Sequence, residues 1–184
     1  MAILKIARMG HPVLGRRADP VADPRAPEIK RLVADMIETM QDANGAGLAA
    51  PQVHVPLRVV VFQAPPDRGE PEEESFDHTA PLTVLINPAI EVLDKETDGG
   101  WEGCLSVPGL RGWVERTAHI RYAGYDTEGR RVVREAKGFH ARVVQHECDH
   151  LEGILYPARM KDMGKLVFES EFSHWLSKKG GDDS

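Results

Sequence analysis

The chain has 184 residues, of which 41% are hydrophobic and 28% charged, with a formal net charge of -6. That length suggests one domain with a real core, and the balance is that of an ordinary soluble globular protein. No apolar run approaches ~20 residues, so no membrane-spanning helix is expected.

The charge is concentrated. Between Ala64 and Ala80 six acids (Asp67, Glu70, Glu72, Glu73, Glu74, Asp77) face one base, Arg68, a local balance of -5 that leaves the rest of the chain at -1. A nucleic-acid surface needs clustered Lys and Arg, so no direct nucleic-acid binding is expected. The opening Met1-Ala2-Ile3-Leu4-Lys5-Ile6-Ala7-Arg8 is too short an apolar stretch for a secretory signal and is not an arginine-rich leader. A cytoplasmic address is the expectation.

Pro12, Gly15 and Pro20 break any period through Ala22. From Pro27 a stripe of Ile29, Leu32, Val33, Met36, Ile37 and Met40 predicts an amphipathic helix that stops at Asn44-Gly45. The next stretch, Gly45-Ala46-Gly47-Leu48-Ala49-Ala50-Pro51-Gln52, is small enough for a second backbone to approach closely. It is no phosphate cradle, because no Lys-Ser/Thr pair follows. Gln52 stands out, since a carboxamide donates to a developing oxyanion without titrating.

Leu57 to Gln63 reads as a strand. Residues 64–80 form an acidic, Pro-bearing insert with too little apolar surface to order itself, expected to be a mobile loop. Strands are predicted at 82–86 and 89–93 around a turn at Asn87-Pro88, and a further turn at Asp98-Gly99-Gly100. More follow at 114–116, 118–125 and 131–135, the last two joined by a turn at 126–129. A helix over about 138–151, ended by Gly153, comes next. Phe168, Phe172, Trp175 and Leu176 recur at helical spacing, and 180–184 is expected to be a disordered tail.

The chemistry centres on Gln145-His146-Glu147-Cys148-Asp149-His150. Histidines four apart on a helix differ by only about 40° around the axis, so His146 and His150 leave one face. Glu147, roughly 100° from His146, is placed beside whatever the rings hold rather than as a third ligand. Cys148 is about 200° away and points to the core. This spacing also arises by chance, so its weight depends on a third ligand elsewhere. Glu102-Gly103-Cys104-Leu105-Ser106 supplies one. A Cys104 thiolate beside two imidazoles suits Zn, Fe(II), Co or Ni and leaves a position open for water.

Taken together, Gly-x-Gly-Leu-Ala-Ala-x-Gln at 45–52, Glu-Gly-Cys-Leu-Ser at 102–106 and Gln-His-Glu-x-Asp-His at 145–150 resemble the peptide deformylases over roughly residues 1 to 160. The resemblance implies a metal-dependent hydrolase that removes formyl from the N-terminal formyl-methionine of new polypeptides, releasing formate. It implies Cys104, His146 and His150 as metal ligands, with Fe2+ in the cell and Zn2+, Ni2+ or Co2+ as substitutes. Glu147 becomes the acid/base, and the Gln52 side chain and Leu105 N–H the oxyanion donors. Gly47 and Gly103 would hold the substrate backbone, with Phe139 and Val143 walling the methionine pocket. Asp149, about 60° from His146 on the other side, is expected to pair with an arginine such as Arg116.

With the elements above, this gives an α+β fold: short, mostly antiparallel sheets packed around a central metal-binding helix, with an N-terminal and a C-terminal helix. The chain is read as a single catalytic domain over 1–184, monomeric or homodimeric. Some members dock transiently on the ribosome through a basic C-terminal helix, whereas this segment carries just Lys178 and Lys179. His54 departs from the family, where glycine is frequent. The rival reading is a His-Glu-x-x-His zinc endopeptidase whose third ligand is Glu169 or Glu171, 19 and 21 residues after His150. A catalytically silent binding module is the other.

Overall fold

A computed structural model describes residues 2–65 and 78–179. Most of the acidic insert (66–77) and the tail at 180–184 therefore lie outside the described residues. In chain order the elements are α1 (Pro27–Asp42), β1 (Gly47–Ala49), β2 (Val59–Ala64), β3 (Ala80–Val92), β4 (Thr97–Cys104) and β5 (Val107–Thr117). They continue with β6 (His119–Tyr125), β7 (Arg131–Lys137), α2 (Gly138–Leu151), β8 (Leu166–Phe168) and α3 (Phe172–Lys179). Among the described residues the strands form two antiparallel sheets, ordered β1-β2-β3-β6-β7 and β4-β5-β8. The expected α+β class is the observed one.

The larger sheet lies between two helices, and β2 shows why. Successive side chains on a strand point to opposite faces. Val59 and Val61 join Ile29, Val33, Met36 and Met40 of α1, while Val60 and Phe62 join Val143, Val144 and Leu151 of α2. All four β2 residues are fully buried, so this strand reads as a continuous apolar run rather than an alternating one. Burial on both sides holds α2 in the interior, ten of its fourteen residues buried, although three of the helix's residues are histidine and two are acidic.

Several expectations need correction. Asn87-Pro88 is not a turn, because β3 runs unbroken for 13 residues with a register shift between Ile86 and Ala89. Asn87 takes φ +52°, and its side chain bonds both the N–H and the C=O of Val21 at 2.9 Å, making a bulge whose partner lies far away in sequence. Gly99 and Gly100 lie within β4, since the Trp113 ring and the Arg142 guanidinium occupy the space a Cβ would need. Strand β5 extends well before the expected 114–116. Phe168 belongs to β8 opposite Leu110, and the helical stripe begins at Phe172. Phe172 and Trp175 each meet Trp101 edge-on at 4.8 Å, so this helix docks on its own protein.

His54 closes the 3-10 turn that carries Gln52. It sits at φ +65° in the left-handed region and packs edge-on against His11 at 4.7 Å.

Gly124 marks a close approach between β3 and β6. An added Cβ would lie 2.9 Å from the Ile86 carbonyl oxygen and 2.7 Å from Leu85, and the backbone cannot swing away. Gly124→Ala should therefore lose about 1–3 kcal/mol and melt several degrees lower. An unchanged melting temperature would contradict this close approach.

Candidate metal centre

The β4–β5 hairpin and the 3-10 turn after β1 converge on α2. His146 and His150 leave the same face, with ring centroids 5.0 Å apart. Cys104 ends β4 at the tip of the β4–β5 hairpin, which carries its sulfur to 3.5 Å from His150 Nε2. One ligand atom from each of Cys104, His146 and His150 lies within 4.8 Å of the others. Gln52 enters from the 3-10 turn after β1. Its Oε1 accepts from the Ala49 N–H at 2.8 Å, which turns Nε2 toward Ser106 Oγ at 3.1 Å and Cys104 Sγ at 3.5 Å. The donor side of the carboxamide is thus aimed at the centre.

Glu147 is buried, and its carboxylate lies where a side chain on Gly47 would stand. Glycine at 47 is what admits it. Burial pushes this carboxyl up to about 7; His146 and Arg116 pull against the shift, and the Glu102 charge adds to it. Among the described residues Glu147 Oε2 has no hydrogen-bond partner.

Sequence reasoning missed the role of Glu102. It receives Arg116 through Nε at 2.8 Å and Nη2 at 2.9 Å, Arg142 Nη1 at 2.9 Å, and pairs with His146 Nδ1 at 2.8 Å. The signal was its position two residues before Cys104, on the same face of β4. Burial opposes its ionisation, but Arg116 and His146 outweigh burial and hold the carboxyl well below the usual carboxylate range. Arg116 also donates to Asp149, the pairing expected from the sequence, and Arg159 grips the same carboxylate at 2.6 Å. Gln145 ties α2 to β5 through both backbone groups of Thr117. Cys148 packs against the core, where burial pushes its thiol up, as an inert residue would be.

The donor set fits a divalent ion. Burial, with His146 and Arg116, lowers the His150 pKa well below its ordinary value and keeps the ring in the neutral form that ligates. Burial would lower His146 too, but Cys104 and Glu102 outweigh it, so anionic groups favour positive charge there. Glu102 on Nδ1 leaves Nε2 of His146 for an ion, the usual carboxylate–histidine arrangement. The downstream glutamates are not part of this cluster: Glu169 is bonded to Arg111 at 2.7 Å.

A cleft of about 700 Å³ opens beside the centre. Gly47, Gln52, Gly103, Cys104, Leu105, Phe139, Val143, His146 and Glu147 all line it, and His150 is buried beneath. Gly47 comes from β1 and Gly103 from β4, the edge strands of the two sheets among the described residues.

Glu102→Gln tests how this centre is held. The Gln side chain keeps the size but leaves Arg116 and Arg142 with half their counter-charge in a buried site. A loss of about 3–5 kcal/mol in a denaturant titration is expected. An unchanged midpoint would show that these ion pairs do not hold α2 to β4.

The profile of the polypeptide deformylase family matches residues 3–166. Peptide deformylase 1 of Bordetella pertussis is 54% identical over 163 residues, which cover 89% of this chain and 90% of that one. Peptide deformylase 2 of Ralstonia nicotianae is 52% identical over 166 residues, covering 90% and 92%. Among solved structures, peptide deformylase from Ehrlichia chaffeensis in complex with actinonin superposes with a TM-score of 0.80 at 32% identity, covering 98% of this chain and 99% of that one. The Thermotoga maritima peptide deformylase gives 0.75 at 36%, covering 87% and 99%. A family match across nine-tenths of the length, joined to relatives more than half identical, places this chain in the polypeptide deformylase family.

Proposed function

We infer that the chain removes the formyl group from the N-terminal formyl-methionine of newly made polypeptides and releases formate, with residues 1–184 acting as a single catalytic domain. The observation that carries this reading is the meeting of Cys104, His146 and His150 with Glu147 and Gln52 in one cleft between two sheet edges.

Cys104 Sγ and the two imidazoles would hold a divalent ion. When bound, such an ion supplies Lewis acidity, bringing the pKa of water toward neutrality and polarising a carbonyl. The substrate backbone lies extended between Gly47 and Gly103, where the strand edges offer N–H and C=O groups to an added strand. Its methionine side chain enters the pocket walled by Phe139 and Val143. The Gln52 amide and the Leu105 N–H donate to the formyl oxygen as it becomes negative, each worth about 2.7–4 kcal/mol in sites of this kind. Glu147 takes a proton from the attacking water on its carboxylate and gives it to the departing amine. A carboxyl pushed up to about 7 by burial suits both steps near neutral pH.

The finer readings follow from the donor chemistry and the family. Sulfur with two nitrogens suits Fe2+, the ion proposed in the cell, and accepts Zn2+, Ni2+ or Co2+. The enzyme works in the cytoplasm as a monomer or homodimer. A transient ribosome contact would fall to the outer side of α3, since Phe172 and Trp175 face Trp101.

Three experiments decide the reading. Protein purified without air should release formate and free amine from formyl-Met-Ala-Ser, and a chelator such as 1,10-phenanthroline should abolish this until Fe2+ or Ni2+ is restored. Cys104→Ala should lose its ion by metal analysis, whereas an endopeptidase with a downstream Glu ligand would keep it. Glu147→Gln should retain the ion yet release formate at least ~10²-fold more slowly. Full activity in Glu147→Gln would end the assignment of its role.

A further inference from the structure

The cleft contains a charge pair that the reaction does not use. Of the charged residues lining it, Glu102 and Arg142 are buried and bonded to each other, and His146 and Glu147 belong to the centre. Arg111 and Glu169 remain, their side chains 43% and 52% exposed. Arg111 stands opposite Gly103 in the β4–β5 ladder, and a Cβ built on Gly103 would lie 4.0 Å from Arg111 Cγ. Its stem therefore flanks the backbone that carries the substrate in the reading above, on which this inference rests. Since the formylated residue is the first of the peptide, whatever passes Gly103 beyond the methionine is downstream sequence.

Glu169 reaches this place through the C-terminal segment. Strand β8 sets Val167 opposite Arg111 and Phe168 opposite Leu110, so the next residue emerges beside the guanidinium. Arg111 Nε and Nη2 both donate to Glu169 Oε1 at 2.7 Å. The guanidinium also lies 5.5 Å over the Phe172 ring, which packs on Trp101 in the cleft wall. Arg111 falls within the family match, whereas Glu169 lies beyond its end at residue 166.

A lone guanidinium beside the peptide would draw acidic residues and repel basic ones, a bias unsuited to substrates whose downstream sequence is arbitrary. We propose that Glu169 is a specificity-levelling residue: by neutralising Arg111 at the cleft wall it lets the enzyme accept acidic and basic residues downstream of the methionine alike. It is a positioning and charge-balancing group, not a catalytic one.

The test is a ratio. With metal-loaded, full-length enzyme, kcat/KM is measured for formyl-Met-Ala-Asp against formyl-Met-Ala-Lys, and for formyl-Met-Asp-Ala against formyl-Met-Lys-Ala. Each ratio is internal to one protein, so it does not depend on metal occupancy or on the fraction folded. The wild-type ratios should lie within about 2-fold of unity. Glu169→Gln should raise the acid-to-lysine ratio roughly 2- to 5-fold at one or both positions, and Arg111→Gln should lower it by a similar factor. The double variant should return toward unity, and the Glu169→Gln shift should shrink in 1 M salt, where screening acts over about 3 Å. Ratios that stay put, or move the same way in both single variants, or a wild type that already strongly favours acids, would overturn the proposal. No formate release from any of the four peptides by the wild type would instead sink the deformylase reading, and this one with it.

Discussion

One buried ion network fixes where everything else meets. Glu102 on β4 is the hub, with Arg116 from β5 and Arg142 and His146 from α2 all on its two oxygens, and Asp149 and Arg159 extending the chain of charges beyond Arg116. Charges taken out of water are expensive, and here the cost is offset because each carboxylate and guanidinium in the set is engaged by an opposite charge. The guanidinium of Arg116, although buried, is held charged by two carboxylates, Glu102 first. What results is register. The hairpin that carries Cys104 is locked to the helix that carries both histidines, so sulfur and nitrogens meet within a few ångströms although they are more than 40 residues apart.

Apolar packing provides the counterforce. The β2 strand, buried on both faces, presses α2 from the side opposite the hairpin, so the helix is held between an apolar sheet and a charged one. Arg142, His146 and Asp149 persist in such an interior because Glu102 and Arg116 of the second sheet bond them, and His140 because Tyr122 of the first sheet does. Glu147 is buried against Gly47, and among the described residues its Oε2, like His150 Nδ1, has no hydrogen-bond partner; burial keeps the Glu147 carboxyl easy to protonate near neutral pH.

The cleft exists because two sheet edges face each other without pairing. The β1 and β4 edges stand apart across it, with glycines at the positions nearest the centre, and the C-terminal segment closes one flank through β8 and the Trp101, Phe172 and Trp175 cluster. A segment that could have been a free tail is thereby made part of the cleft wall.

Much of this was readable in one dimension where the physics is local. Helical periodicity alone put His146 and His150 on one face, turned Cys148 inward and placed α2 at 138–151, and the α1 stripe needed nothing beyond its own spacing. Cys104 and Gln52 stood out by residue chemistry, and the structure brings Cys104 to His146 and His150 with Gln52 beside it. The tertiary structure alone decided the rest. Asn87-Pro88 and Gly99-Gly100 look like turns in any local reading, and became a bulge and a strand because Val21, Trp113 and Arg142 lie against them from distant parts of the chain. Glu102 is an ordinary acid until Arg116, Arg142 and His146 surround it, and Glu169 is a surface acid until β8 carries it to Arg111. Spacing along a helix is set by bonds four residues long, whereas the partner of a buried charge or the neighbour of a glycine is set by which strands pair, and no local pattern encodes that.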